Sequence, residues 1–310
     1  MSDTLPASFP SFRHDVTVNL AHISDPHLPV PALRARDFFN KRAFSLALWK
    51  ASRKHHHLFA ITEKILTSIE THKEINAILI TGDLTNFGTR EEFEFACQWL
   101  KKFFISPIII PGNHDMMMPE PFEKSLALWK PWTGPYFPFI RLIEGVAIIG
   151  LNSAVPTPLF KAYGRLDPNQ LKKLSFLLEH LGQAGYCRIV MLHHPPKIGL
   201  MDNVKALKDM NEFSAVLREK GAELVLHGHS HKMTFTHVEG CSVPLLGTSS
   251  VSMKNKNPLR QAGWTRISCK PSSQGWLMKL CRFDEDGINL WTKEWESTQS
   301  DALFQTEWVH

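Results

Sequence analysis

The chain has 310 residues, 43% of them apolar, and a formal net charge of +5. That length and apolar share suit one large α/β domain with a sizeable core and exclude a disordered chain. The modest charge argues against a nucleic-acid binder, and no apolar run approaches the about 18–20 residues of a membrane span. Met1–Asp15 mixes acidic and polar residues without an apolar centre, so it does not read as a secretory leader. Cys97, Cys187, Cys241, Cys269 and Cys281 are scattered, odd in number and lack a C-x-x-C pair. They read as reduced thiols of a cytosolic protein.

Val18–Ile23 is the first strand-like apolar run, and Ser24-Asp25-Pro26-His27 follows it. A basic, aromatic insert covers residues 29–58. Ala60–Glu70 has the spacing of an amphipathic helix, and Ala77–Ile80 is a strand running into Thr81-Gly82-Asp83. Arg90–Lys102 predicts a helix and Pro107–Ile110 a strand that ends in Pro111-Gly112-Asn113-His114-Asp115. Next come Met116-Met117-Met118, Leu126, Leu128, Trp129, Trp132, Tyr136, Phe137, Phe139 and Ile140, interrupted by prolines. They predict a loop-rich wall, either core or the lining for an acyl chain. Val146–Leu151 is a strand. Asp167 as N-cap and Pro168 at the first helical position open a helix through Glu179. Strand Arg188–Leu192 precedes His193-His194-Pro195. Helix Glu212–Lys220 and strand Glu223–His227 precede Gly228-His229-Ser230-His231. Thr234–Val238, Val243–Leu246 and short alternating runs beyond Gly263 predict antiparallel strands. The early βαβ alternation and the late antiparallel runs predict an α/β fold of two mixed β-sheets packed face to face, with helices outside. Residues 251–310 are expected to add strands and a tail to a single domain spanning 1–310.

All five polar blocks sit where strands end, the place where sheets covered by helices bind ligands. Together they offer two carboxylates, one amide oxygen and at least four imidazoles. Such a mixture suits a pair of divalent transition metals better than calcium or magnesium, which prefer oxygen shells. The blocks D-x-H, G-D, G-N-H-D, H and G-H-x-H, in this order from about Asn19 to Ser250, resemble the calcineurin-like metallophosphoesterase family. The resemblance implies an αββα sandwich and a dimetal hydrolase of phosphate esters or anhydrides. It implies one metal on Asp25, His27 and His231, a second on Asn113, His193 and His229, and Asp83 between them. His114 would protonate the leaving oxygen, and Asp115 would orient His114. Taken singly, Asp25 could instead cap a turn and Asp115 the next helix. The cofactor is expected to be two divalent ions, manganese foremost, with iron, zinc or magnesium as alternatives. Two such ions about 3.5–4 Å apart activate water and clamp a phosphate for in-line attack.

The insert carries Arg34, Arg36, Lys41, Arg42, Lys50, Arg53 and Lys54 against Asp37 alone, so seven basic residues and one acid give it +6 and leave the rest near −1. It also holds Phe38, Phe39, Phe44, Leu46, Leu48 and Trp49. Basic and aromatic together suit an anionic membrane surface or a lipid phosphate, or else a flap packed over the site. With the complete G-N-H-D block and the HHPP run, the insert resembles bacterial enzymes that cleave UDP-2,3-diacylglucosamine to UMP and lipid X in lipid A synthesis. That resemblance implies a cytoplasmic protein on the inner-membrane face. Asn86, Arg165, His194, Arg42, Trp49 and Arg53 are the candidate substrate contacts. The alternatives are a soluble cyclic-nucleotide or general phosphodiesterase, and a non-catalytic membrane scaffold of the same fold. His55-His56-His57 reads as a solvated basic turn.

Overall fold

The computed structural model of the chain describes residues 10–13, 15–31, 42–43, 46 and 56–298. Most of the basic, aromatic insert, including Trp49 and Arg53, therefore lies outside the described residues. Two six-stranded sheets face each other. The first has the order β12-β11-β10-β1-β2-β3, with β1 (Val18–Ile23), β2 (Ile75–Ile80) and β3 (Ile108–Ile109) parallel. Against β1 lies the antiparallel run β10 (Gly263–Pro271), β11 (Gly275–Asp284) and β12 (Asn289–Thr298). The second sheet has the order β4-β5-β6-β7-β9-β8. Its centre, β5 (Val146–Gly150), β6 (Cys187–Met191), β7 (Leu224–His227) and β9 (Pro244–Gly247), is parallel. Its edges, β4 (Phe139–Ile143) and β8 (Thr234–His237), run antiparallel to their neighbours.

The period-2 alternation of each strand assigns its side chains to two layers. Val18, Leu20, Ala77 and Leu79 meet Ile148, Ile189, Met191, Leu224 and Leu226 between the sheets. Ala21, Ile23, Ile78 and Ile80 turn outward onto Ile65, Ile69, Phe93 and Trp99. These belong to α1 (Phe59–Thr71) and α2 (Arg90–Leu100). On the other side, Ile149, Val190 and Val225 pack on Leu174, Leu178, Phe213 and Leu217, from α3 (Pro168–Gln183) and α4 (Met210–Lys220). Strands buried on both faces are the reason β1, β2 and β5–β7 read as continuous apolar runs. Truncating a fully buried member such as Ile80 to alanine costs about 2–5 kcal/mol.

The wall after the third block is mostly core. Leu126, Trp129 and Trp132 are buried under α2, and Phe139 opens β4, an edge strand that the prolines hide in the sequence. Asp167 caps α3 through the Asn169 N–H at 2.7 Å, as its spacing predicts. The five cysteines are unpaired. No helix among the described residues is long and apolar enough to cross a membrane.

Candidate metal centre

The loops after β1, β2, β3, β6 and β7 converge at one edge of the sandwich. Their backbone is strained there. Among the described residues, seven non-glycine residues have positive φ, and five of them are Asp25 (52°), His27 (42°), Asp83 (56°), His229 (62°) and His231 (47°). Such conformations cost on the order of 1–3 kcal/mol each and persist where packing over-determines them. Two glycines let the loops close. A Cβ on Gly112 would strike the Asp83 carboxylate, and one on Gly228 would strike the Ser24 hydroxyl and the Asp25 carboxylate.

Two clusters form and share one residue. Ligand atoms of Asp25, His27, Asp83 and His231 lie within 4.8 Å of one another, and so do those of Asp83, His193 and His229. His231 Nε2 is 3.0 Å from Asp25 Oδ1. His193 Nε2 is 3.3 Å from Asp83 Oδ2 and 3.2 Å from Asn113 Oδ1. Neighbouring donors on one ion, with bonds of about 2.1 Å, stand about 3.0–3.4 Å apart. Asp25 Oδ1, despite the His231 nitrogen 3.0 Å away, and His27 Nδ1 are buried and carry no aligned hydrogen bond among the described residues. A buried carboxylate oxygen with no bond is costly unless a cation completes it. The donor set fits a pair of divalent ions.

Tautomers agree with this fit. His193 Nδ1 donates to the Thr81 carbonyl at 2.6 Å, so Nε2 is the nitrogen turned to Asp83. Burial alone would hold protons off His193, but the Asp83 charge and hydrogen bond lift its pKa to about 9, so without an ion Nε2 carries a proton that a metal would displace. Asp83 is itself buried, which favours its neutral form, yet His193 and His114 outweigh that and hold it well below the usual carboxylate range. Burial, then crowding by His57 and His114, pushes His27 well below its ordinary value. Burial and then His194 do the same to His229. Neutral imidazoles beside an ionised carboxylate are ligand forms.

Residues 18–233 match the family described as Calcineurin-like phosphoesterase. The chain belongs to that family. It is 32% identical over 217 residues to a probable cyclic nucleotide phosphodiesterase of Synechococcus sp., spanning 69% of this chain and 79% of the relative. A 3',5'-cyclic-nucleotide phosphodiesterase of Nostoc sp. is 29% identical over 171 residues, 53% of this chain and 58% of the relative. A solved dimetal phosphatase from Danio rerio superposes with TM-score 0.56 at 11% identity, covering 89% of this chain and 98% of that one, a likeness of fold. The calcineurin-like phosphoesterase is a metal-dependent phosphoester hydrolase with candidate ligands for two divalent ions.

His114 stands in none of the histidine–carboxylate clusters among the described residues. Its ring lies 5.0 Å from that of His27, and its backbone N–H donates to Asp83 Oδ1 at 2.8 Å. Its Nδ1 donates to the Asn86 carbonyl at 2.7 Å, so Nε2 is the nitrogen that can trade a proton with substrate. The expectation that Asp115 orients His114 needs correction. The Asp115 carboxylate accepts the N–H groups of Asp83, Thr85 and Gly112 at 2.8–2.9 Å and the Thr85 hydroxyl at 2.9 Å. It ties the second block to the third. It is not the cap of a following helix either.

The candidate substrate contacts divide. Asn86 is buried, its side-chain amide donating to the Leu28 carbonyl at 2.8 Å, and its main chain positions His114. The capping box of Thr89 and Glu92 holds this loop, with Glu92 accepting the Asn86 N–H at 2.8 Å. His194 is fully buried behind the ligands, 4.5 Å from the His229 ring, with Nδ1 paired to Ser153 Oγ at 2.9 Å. That placement makes it a support for His229 in this structure and not an open contact. Arg42 is also buried, bonded to the Phe87 and Gly88 carbonyls at 2.9 and 2.7 Å and to Glu120 at 2.8 Å. Its guanidinium braces the loop beside His114. Arg165 is exposed, on the loop where Gly164 abuts His194.

Sequence reasoning misses three contributors. His57 is not a solvated turn: its ring packs 4.6 Å from His27. Ser250 and Ser252 reach back to the Asp25 carbonyl at 2.6 and 3.4 Å. Their signal was the polar run Thr248–Ser252 at the end of β9, a sixth strand end beside the five recognised ones.

Proposed function

We propose that this phosphoesterase hydrolyses small phosphodiesters, cyclic nucleotides foremost, at a centre that takes one ion on Asp25, His27, Asp83 and His231 and a second on Asp83, Asn113, His193 and His229. The observation that carries the reading is the pair of clusters joined at Asp83 with a non-cluster histidine beside them. When bound, two divalent ions supply Lewis acidity and an activated water. The chain's own residues do the rest. Among the described residues Asp25 and Asp83 are the only carboxylates in the clusters, so with two divalent ions the centre stays cationic, matched to an anionic diester. His114, fixed through Nδ1 by the Asn86 carbonyl, delivers a proton from Nε2 to the leaving oxygen. Arg42 and Asn86 keep the His114 loop in place. The relatives named as cyclic nucleotide phosphodiesterases support a soluble diester over the lipid substrate.

The UDP-2,3-diacylglucosamine reading, with its place at an anionic membrane surface, keeps only the composition of the insert as support. Parallel assays with added manganese separate the readings. Turnover is expected for 3',5'-cyclic AMP and for bis(p-nitrophenyl) phosphate. UMP release from UDP-2,3-diacylglucosamine without cyclic-nucleotide turnover would reverse the order of the two. No turnover on any of the three substrates would overturn both readings and point to a different phosphoester.

A further inference from the structure

We propose that His57 is an additional nitrogen ligand of the first metal position, beside Asp25, His27, Asp83 and His231; this rests on the dimetal reading above. Ligand atoms of His27, His57 and His231 lie within 4.8 Å of one another. The His57 ring meets those of His27 and His231 edge-on, at 4.6 and 5.6 Å. His57 thus joins two of the first position's imidazoles in a group that includes neither Asp25 nor Asp83, so its ring must shift toward the carboxylates when an ion binds.

The ring is held as a ligand is held. Its Nδ1 lies 2.7 Å from Ser252 Oγ and 3.3 Å from Ser250 Oγ. Ser250 and Ser252 both give their protons to the Asp25 carbonyl, so the serines receive the Nδ1 proton and Nε2 keeps the lone pair. A metal-binding histidine characteristically has its second nitrogen fixed in this way. The backbone is fixed as well. His57 forms an antiparallel bridge with Met253, the Leu58 N–H donates to the Ser252 carbonyl, and the Lys254 N–H donates to the His56 carbonyl, both at 2.8 Å. The same serine pair therefore anchors both the Asp25 loop and His57. The first position would hold three imidazoles and two carboxylates, against two imidazoles, one carboxylate and one amide at the second. That asymmetry predicts unequal affinities.

The test is metal binding, read independently of turnover. Metal-free wild type, His57→Ala and Ser252→Ala are titrated with Mn²⁺, following free Mn²⁺ by its EPR signal. Circular dichroism and melting of the metal-free variants check that they fold as wild type does. Wild type should bind two ions. In His57→Ala one of the two affinities should fall at least about 10-fold and the other hold. Ser252→Ala, which keeps the imidazole but frees its ring, should weaken the same event by less. A folded His57→Ala that binds both ions with wild-type affinity overturns the proposal, even if its turnover falls. Wild type that binds fewer than two ions would instead fail the dimetal reading itself.

Discussion

Removing the Asp115 carboxylate should unfold the site before it slows the chemistry. In Asp115→Ala the N–H groups of Asp83, Thr85 and Gly112 lose acceptors at 2.9, 2.8 and 2.8 Å, all in buried backbone. Each buried donor left without a partner costs about 1–3 kcal/mol. Three of them make about 3–9 kcal/mol, against a typical total stability of about 5–15 kcal/mol. At about 2 °C per kcal/mol for a chain of this size, Tm should fall by at least about 6 °C. The Asp83 loop would loosen with it, so metal content should fall as well. Thermal unfolding and elemental analysis of the purified variant provide the check. If Asp115 served only to orient His114, the variant would melt with wild type, keep its metals and lose about 10²–10⁴ in rate. That outcome would refute the reasoning.

Asp83→Ala should lose both ions and all activity together, because the two clusters meet at this carboxylate; two tightly held ions in the purified variant would speak against the shared role. His114→Ala should keep both ions and lose about 10²–10⁴ in kcat. That loss should shrink when the leaving group is already acidic, as measured across a series of aryl phosphodiesters. Acid should expose a buried neutral histidine, since burial and then the neighbouring His227 push His22 from 6.5 to about 3. Between those values the unfolded chain binds a proton that the folded one excludes. Stability is therefore complete above pH about 6.5 and falls as pH drops toward 3, by about 1.4 kcal/mol per unit. Denaturant titrations of metal-free protein between pH 6 and 4 should show a steeper loss for wild type than for His22→Gln, and parallel slopes would contradict the assignment.

The strands that carry the five blocks are legible because they are buried on both faces, as in Leu20-Ala21 and Ile78-Leu79-Ile80. Strand β4 is not, because Pro131, Pro135 and Pro138 crowd its approach and its own burial is partial. Strands β10–β12 read as alternating runs, but their addition to β1 is a long-range pairing that no local pattern encodes. The ligand set follows from residue types at strand ends. The roles of neighbours do not. Asp115 follows His114 in the chain, yet its side chain binds the backbone of the second block, and the group that fixes His114 is a main-chain carbonyl with no signature of its own. His57 in a run of three histidines resembles a solvated turn until the bridge to Met253 carries it to the centre. The basic insert, the main support for a lipid substrate, falls largely outside the described residues.

Two metals joined at Asp83 are what the proposed phosphodiester hydrolysis requires. Anomalous diffraction from crystals grown with manganese tests this most directly. Two peaks are expected, one among Asp25, His27 and His231 and one among Asn113, His193 and His229, with an Asp83 oxygen bonded to both. A single peak, or two peaks with Asp83 bound to neither, would contradict the account.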